Sequence, residues 1–399
     1  GPPGKLVSRY EASLDAKSDR TGEQPVVVVA SALSPVMTTV VQINHRRVSA
    51  EGPNSDEGYK GIPMKRGTET VGGGIASSQD VALDLKINPF LHVDTHQIYN
   101  PHNDHVLTPD DHGFRDLQQI YADASTLRSL PGELKSHLKL GEWLVDTDTD
   151  HSHRFLLKYV SLESHTVCNQ ACYFCPVSIS PRDHYFMPTE LYEAIVAQLA
   201  EYRATIEAIS MIHYNEPTVD KRFLDQIRLL KQHGLPPAVL TNATGLTPKR
   251  VDAIMEMGGL SHLSINLSTI DPERYAKERG RNHVELVLTN LRYMKDLEIA
   301  PNMDIPVLGT GDDDHRRDFE EISAEFAGSR FEVKYFEIMD RAGNLPVGQR
   351  PEGQGNQLCG CDQTGSRPIQ WLHVTPTGKC VICCQDYYDD YEVGDLNTQ

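Results

Sequence analysis

Three cysteines in the run Cys168-Asn-Gln-Ala-Cys172-Tyr-Phe-Cys175 carry the most legible chemistry of this chain. Their spacing suits an iron–sulfur cube, and four thiolates would fill all its iron sites and leave an electron carrier. Three leave one iron open. A small molecule can chelate that corner, and an aromatic residue just before the last cysteine, here Phe174, can sit against a flat ring. The competing reading is a structural zinc knuckle. Zinc, however, takes a fourth ligand at short range and pairs its cysteines differently, and His165 is the only candidate nearby.

Cysteine, three residues, cysteine, two residues, cysteine, with an aromatic before the last, resembles the motif of the radical S-adenosylmethionine (SAM) superfamily. The resemblance covers roughly residues 155–399. It implies a [4Fe-4S] cluster with an open iron site, held by Cys168, Cys172 and Cys175. The reduced cluster would cleave SAM to methionine and a 5′-deoxyadenosyl radical, which removes a hydrogen atom from an unactivated carbon.

The same resemblance assigns SAM contacts at successive strand ends. His213-Tyr214-Asn215-Glu216-Pro217 occupies the place of the family's Gly-Gly-Glu segment without its glycines, so only Glu216 is carried over, as a partner of the SAM amino group. Thr241 and Asn242 stand where relatives have a polar pair. Ser264 and Asn266, two apart on a strand and so on one face, would meet the ribose. Arg279 matches an arginine near the SAM carboxylate, a sensible partner for a planar guanidinium. Val307 and Leu308 would line the adenine slot. Each has a plainer alternative: a solvated loop acid for Glu216, a surface helix-end arginine for Arg279, ordinary core for the two apolar residues.

The elements that must position these residues are readable from pattern. From residue 155 onward strands and helices alternate, the signature of a parallel sheet with crossover helices. Strands are expected over 155–163, 206–212, 238–242, 262–267, 302–308 and 331–338, giving an α/β fold with a partial (β/α)6 barrel over 155–345. Thr247-Pro248 opens one helix, Gly258-Gly259 ends it, and Asp271-Pro272 opens another. In such barrels chemistry sits at the C-terminal strand ends, and the cysteine loop follows the first strand.

Before the barrel, residues 1–80 read as a polar extension with one apolar stretch, 26–41, too interrupted to span a membrane. Residues 81–154 read as a winged-helix-like α+β module. A strand is expected over 90–98, followed by helical faces at Phe114, Leu117, Ile120 and Tyr121 and at Leu130, Leu134 and Leu138. A hairpin of 143–145 with 155–157 completes it.

Five further cysteines, Cys359, Cys361, Cys380, Cys383 and Cys384, lie in residues 346–399. The segment from Trp371 through Cys384 resembles the cysteine-rich β-hairpins of SPASM and twitch extensions in radical SAM enzymes, with a turn at Pro376-Thr377-Gly378. That resemblance implies one auxiliary [4Fe-4S] cluster on Cys359, Cys361, Cys380 and Cys383. Adjacent strand residues point to opposite sides, so Cys383 or Cys384 is spare. A zinc ribbon is the alternative. A full SPASM domain carries more cysteines after this point; the shorter twitch type and a domain longer than this sequence both stay open.

A formal net charge of −18 argues against a nucleic-acid partner, since phosphate binding needs a basic face. Clustered thiols without a secretory signal point to a reducing cytoplasm. Taken with the resemblance, the leading expectation is a radical SAM maturase that crosslinks, forms a thioether in, or epimerises a ribosomally made peptide. The small module would grip the peptide's leader by strand addition, and a flavodoxin or ferredoxin would supply electrons. The alternatives are a twitch-type small-molecule dehydrogenase and, from another class, a redox-sensing winged-helix regulator.

Overall fold

The computed structural model of the chain describes residues 84–151, 154–348 and 367–398; the polar extension, Cys359 and Cys361 lie outside them. The first described unit has its own core. Strand β1 (Leu85–Ile87) is followed by the meander β2 (His92–Val93), β3 (Ile98–Asn100) and β4 (His105–Leu107), then α1 (Phe114–Ala122), α2 (Gly132–Leu140) and β5 (Leu144–Asp146). Apolar residues of α1 at Phe114, Leu117 and Ile120 and of α2 at Leu134 and Leu138 close on Leu85, Ile98, Trp143 and Leu144.

Two details differ from the sequence expectation. The single strand over 90–98 is two strands, because the Asp94 carboxylate accepts from the backbone N–H groups of His96 and Gln97 and turns the chain. The closing hairpin does not form either. β5 pairs antiparallel with β1, Leu85 opposite Asp146, and residues 154–158 run instead beside residues 369 and 370, with Leu156 N–H donating to Ile369 C=O at 2.8 Å. Pairing with β1 puts Leu144 and Leu85 into the same core, whereas Phe155 stays 52% exposed.

The second unit is the barrel. Six strands, β6 (Tyr159–Leu162), β7 (Ala208–Ser210), β8 (Pro237–Thr241), β9 (His262–Ile265), β10 (Met303–Gly309) and β11 (Glu332–Glu337), lie side by side in chain order, all parallel. Their crossovers are α3 (Thr189–Leu199), α4 (Phe223–Gln232), α5 (Pro248–Glu256), α6 (Pro272–Arg279) with α7 (Val284–Met294), and α8 (Asp313–Glu325). The main core fills the space between helices and sheet, with Val160, Ile209, Val239, Leu263 and Ile305 facing Ile195, Ile227, Ile254 and Leu291.

Helix ends follow the punctuation of the sequence. The Asp271 side chain accepts from Arg274 N–H at 2.8 Å with Pro272 in the first turn. After α5, Gly259 sits at φ +72°, and a Cβ there would lie 2.5 Å from the Ile299 carbonyl oxygen, so the position needs glycine twice over.

The C-terminal hairpin continues this sheet. After the short helix α9 (Arg367–Gln370), β12 (Trp371–Val374) pairs in parallel with β6, then β13 (Lys379–Val381) and β14 (Glu392–Asp395) add in antiparallel fashion. The result is one sheet of nine strands with order β11-β10-β9-β8-β7-β6-β12-β13-β14.

The first unit docks where the barrel strands begin. Lys158, just before β6, donates to Asp104 at 2.8 Å and pairs with Glu207, just before β7, at 2.7 Å. Gln370 donates to the Tyr99 hydroxyl and to Pro101 C=O. The module therefore sits at the end of the barrel opposite the C-terminal strand ends. No helix among the described residues is long and apolar enough to cross a membrane.

Candidate active site

The cysteine loop leaves the C-terminal end of β6 and is pinned to the end of α6. The Ala171 and Tyr173 N–H groups donate to the Arg279 and Glu278 carbonyls, both at 3.0 Å, which satisfies carbonyls the helix leaves unpaired. Gly280, at φ +72°, ends the helix and passes close to Ala171. So anchored, the loop turns Cys168, Cys172 and Cys175 into one cleft of about 830 Å³, counting its open mouth.

Arg279, the largest fully buried side chain among the described residues, lies across this loop. Its guanidinium reaches Asn266 at 2.7 Å, Ser268 at 3.1 Å, Gln170 at 3.4 Å and the Cys172 Sγ at 3.8 Å, and lies 5.1 Å from the Phe174 ring centre. Every hydrogen-bond partner is uncharged. A buried cation so arranged favours negative charge at the neighbouring thiol.

Glu216, also buried, is held by four donors. Its Oε1 accepts from the Thr218 N–H and the Thr218 and Thr241 hydroxyls, and its Oε2 accepts from Asn242 N–H at 2.8 Å. Burial raises its pKa, and these bonds pull it only part of the way back. The Asn242 amide donates to Asn169 in the cysteine loop at 2.8 Å. The Glu216 loop is tied to that loop too, through Glu216 N–H donating to Val167 C=O.

Of the sequence-predicted contacts, Phe174, Glu216, Thr241, Asn242, Ser264, Asn266 and Arg279 all line the cleft with the three cysteines. Ser264 donates to the buried Asp304 carboxylate at 2.6 Å, so its oxygen has only lone pairs left for the cleft. Leu308 packs with Phe174 and Ile338 beside the cleft. Val307 does not: as its neighbour on β10 it points to the other face and joins the main core. Pro306 lies between Ile305 and Val307 and has no N–H, and β10 pairs with β9 only at Met303 and Asp304.

The C-terminal cysteines also fall differently. Cys380 packs into the helix-side core with Val374. Cys383 and Cys384 both lie with the opposite, inner cluster of Tyr159, Leu240 and Trp371, so the sheet separates Cys380 from Cys383. A register shift at Cys380/Val381 and the turn after β13 overcome the simple alternation expected from sequence. Cys384 lines the cleft, and its carbonyl accepts from His213 Nε2 and the Tyr214 hydroxyl, each at 2.9 Å.

Sequence reasoning missed Gln170, His213, Tyr214, Arg341 and Cys384 as cleft residues. Position was the available signal, since each of the four outside the C-terminal unit follows a barrel strand or flanks a cysteine.

The donor set fits an iron–sulfur cube. Burial raises the pKa of all three thiols, pushing Cys175 up to about 11, a state that a bound cation would reverse. Among the described residues no three His, Cys, Asp or Glu side chains converge as on a single ion. His165, the candidate fourth zinc ligand, is buried behind the loop: its Nδ1 accepts from Val167 N–H, its Nε2 lies 3.4 Å from the Asn215 amide, and its ring stacks on Phe186.

Residues 162–322 match the family model of the radical SAM superfamily, so the chain carries a radical SAM domain, the catalytic unit of enzymes that work with a [4Fe-4S] cluster and SAM. The chain is 27% identical over 148 residues to a probable GTP 3′,8-cyclase of Pyrococcus horikoshii, covering 37% of this chain and 46% of the relative. It is 31% identical over 107 residues to an S-adenosyl-L-methionine-dependent 2-deoxy-scyllo-inosamine dehydrogenase of Niallia circulans, covering 26% and 42%. It thus spans about half the length of these curated relatives. Among solved structures, Streptococcus suis SuiB bound to precursor peptide SuiA aligns with TM-score 0.47 and 11% identity over 76% of this chain and 84% of SuiB. BtrN in complex with AdoMet and 2-DOIA aligns with TM-score 0.39 and 20% identity over 61% and 80%.

Proposed function

We propose that this protein abstracts a hydrogen atom from a ribosomally made peptide as the first step of a crosslink, thioether or epimerisation. When bound, the cluster and SAM supply a 5′-deoxyadenosyl radical. Cys168, Cys172 and Cys175 would hold the cluster, Arg279 would offset charge beside Cys172 and meet the SAM carboxylate, and Phe174 with Leu308 would form an apolar wall. Glu216 fixes the loop that faces them. Any auxiliary cluster would draw on Cys383 or Cys384 rather than Cys380.

The observation that carries the peptide reading is the separate module with a free strand edge. β4 pairs only with β3 among the described residues, and Val106 on it is 40% exposed. An extended leader can add there through main-chain hydrogen bonds. Because the module docks at the strand beginnings, the leader and the reacting residue would sit at opposite ends of the barrel.

A second reading is supported by the match to the inosamine dehydrogenase: a small-molecule dehydrogenase using the same cleft. The test is anaerobic reconstitution with SAM, reductant and peptides encoded beside the gene, followed by mass spectrometry and 5′-deoxyadenosine assay. Val106→Asp should weaken peptide binding about tenfold, some 1.4 kcal/mol, and leave peptide-free SAM cleavage unchanged. Unchanged peptide turnover in that variant removes the leader role. Turnover of an amino-cyclitol without any peptide turnover favours the second reading.

A further inference from the structure

Arg341 lies on the loop after β11 and lines the same cleft as the three cysteines. The loop is held in place. Arg341 and Ala342 both have left-handed backbone, φ 55° and 57°, which such residues seldom adopt without support. That support is visible: Leu345 is buried and donates to Asp340 C=O, and the Asn344 amide donates to Gln385 C=O at 3.0 Å.

The other charged groups of the cleft are already engaged. Glu216 accepts from four donors, and Arg279 is bound by Asn266, Ser268 and Gln170. Among the described residues, the ion pairs around this stretch are made by Arg330, Lys334 and Lys379, and none involves Arg341. In a chain of net charge −18, the cleft thus offers a positive charge without a protein counter-ion. A guanidinium fork matches a carboxylate or phosphate with two parallel hydrogen bonds, and partial shelter from water strengthens the pair.

We propose that Arg341 is a specificity residue that seats an oxyanion of the substrate, carboxylate or phosphate, in this cleft. This rests on the radical SAM peptide reading and deepens it: the reacting residue of the peptide, or its neighbour, carries an acidic side chain or a phosphate.

The test uses the full chain, reconstituted anaerobically, with N-acetylglutamate, inorganic phosphate and neutral N-acetylglutamine as probes. The readouts are the electron paramagnetic resonance spectrum of the reduced cluster with SAM and calorimetric SAM affinity. N-acetylglutamate or phosphate should perturb the spectrum saturably, with N-acetylglutamine inert. Half-saturation should rise at least about tenfold in Arg341→Gln and less in Arg341→Lys, which keeps the charge and loses the fork, while SAM affinity stays within about twofold. The tighter of the two anions identifies carboxylate or phosphate as the source.

Equal responses in wild type and Arg341→Gln, no response to either anion, or an equal response to N-acetylglutamine would overturn the proposal. So would a tenfold loss of SAM affinity in Arg341→Gln, which makes Arg341 a SAM contact. A reduced cluster that responds to SAM but not to anions sinks this inference alone, whereas a sample with no SAM-responsive signal sinks the radical SAM reading with it.

Discussion

The Glu216 carboxylate accepts four hydrogen bonds that join the ends of β7 and β8, which makes it a strut as much as a ligand. Its sequence neighbourhood marked it for SAM, and the structure adds why an acid is needed there: neutral glutamine would turn an NH2 group toward existing donors. Glu216→Gln should therefore cost about 2 kcal/mol of stability, read as a lower urea midpoint at unchanged slope, and should weaken SAM binding. An unchanged midpoint would mean the donors are satisfied elsewhere. Arg279 was legible from its motif, but its complete burial among uncharged partners was not, because Gln170 comes from the cysteine loop and Asn266 and Ser268 from the segment after β9, about a hundred residues on in the chain.

Strands and helices of the barrel were legible because their signals are local: runs of apolar β-branched residues, prolines in first turns and glycines at helix ends. The Gly258-Gly259 stop is the sharpest case. Substitution of Gly259 by alanine forces a left-handed Cβ toward the Ile299 carbonyl and should destabilise by about 2–3 kcal/mol, whereas Gly132→Ala, with open space and no positive φ, should be neutral or slightly stabilising. Thermal unfolding of the pair checks this, and equal melting temperatures would refute it. Pairing was harder to read. β5 could close a hairpin with residues 155–157 or return to β1, and the shared core with Leu85 decides for β1, a contact sixty residues back in the chain.

At the scale of the whole molecule, the junction between module and barrel turns on Lys158, nearly buried between Asp104 and Glu207. Burial lowers its pKa, but the hydrogen bonds and charges of those two acids outweigh it, and the net shift is upward from 10.5. A cationic group whose pKa is raised on folding contributes stability that is complete below 10.5 and lost as pH climbs through the higher folded value. Lys158→Met should remove that alkaline loss and cost about 1–2 kcal/mol at neutral pH, the partly exposed acids softening the penalty of a broken buried pair. Hydrogen exchange on β3 and β4 should rise in the variant while α4 and β8 stay protected. Uniform exchange throughout would show that the two units unfold as one.

The sequence by itself determined the cysteine trio, the radical SAM resemblance that the family match supports, and the alternating barrel elements, because each is written in residues close together in the chain. Only the tertiary structure decided which way neighbouring residues face and which distant segments meet. Val307 turns to the core while Leu308 turns to the other face and packs on Phe174, Cys380 is parted from Cys383 by the sheet, and Arg341 joins the cleft lining from the loop after the sixth strand. The physical reason is that strand parity, bulges and loop closure are settled by competition among long-range contacts, and a one-residue change of register exchanges the two faces of a strand.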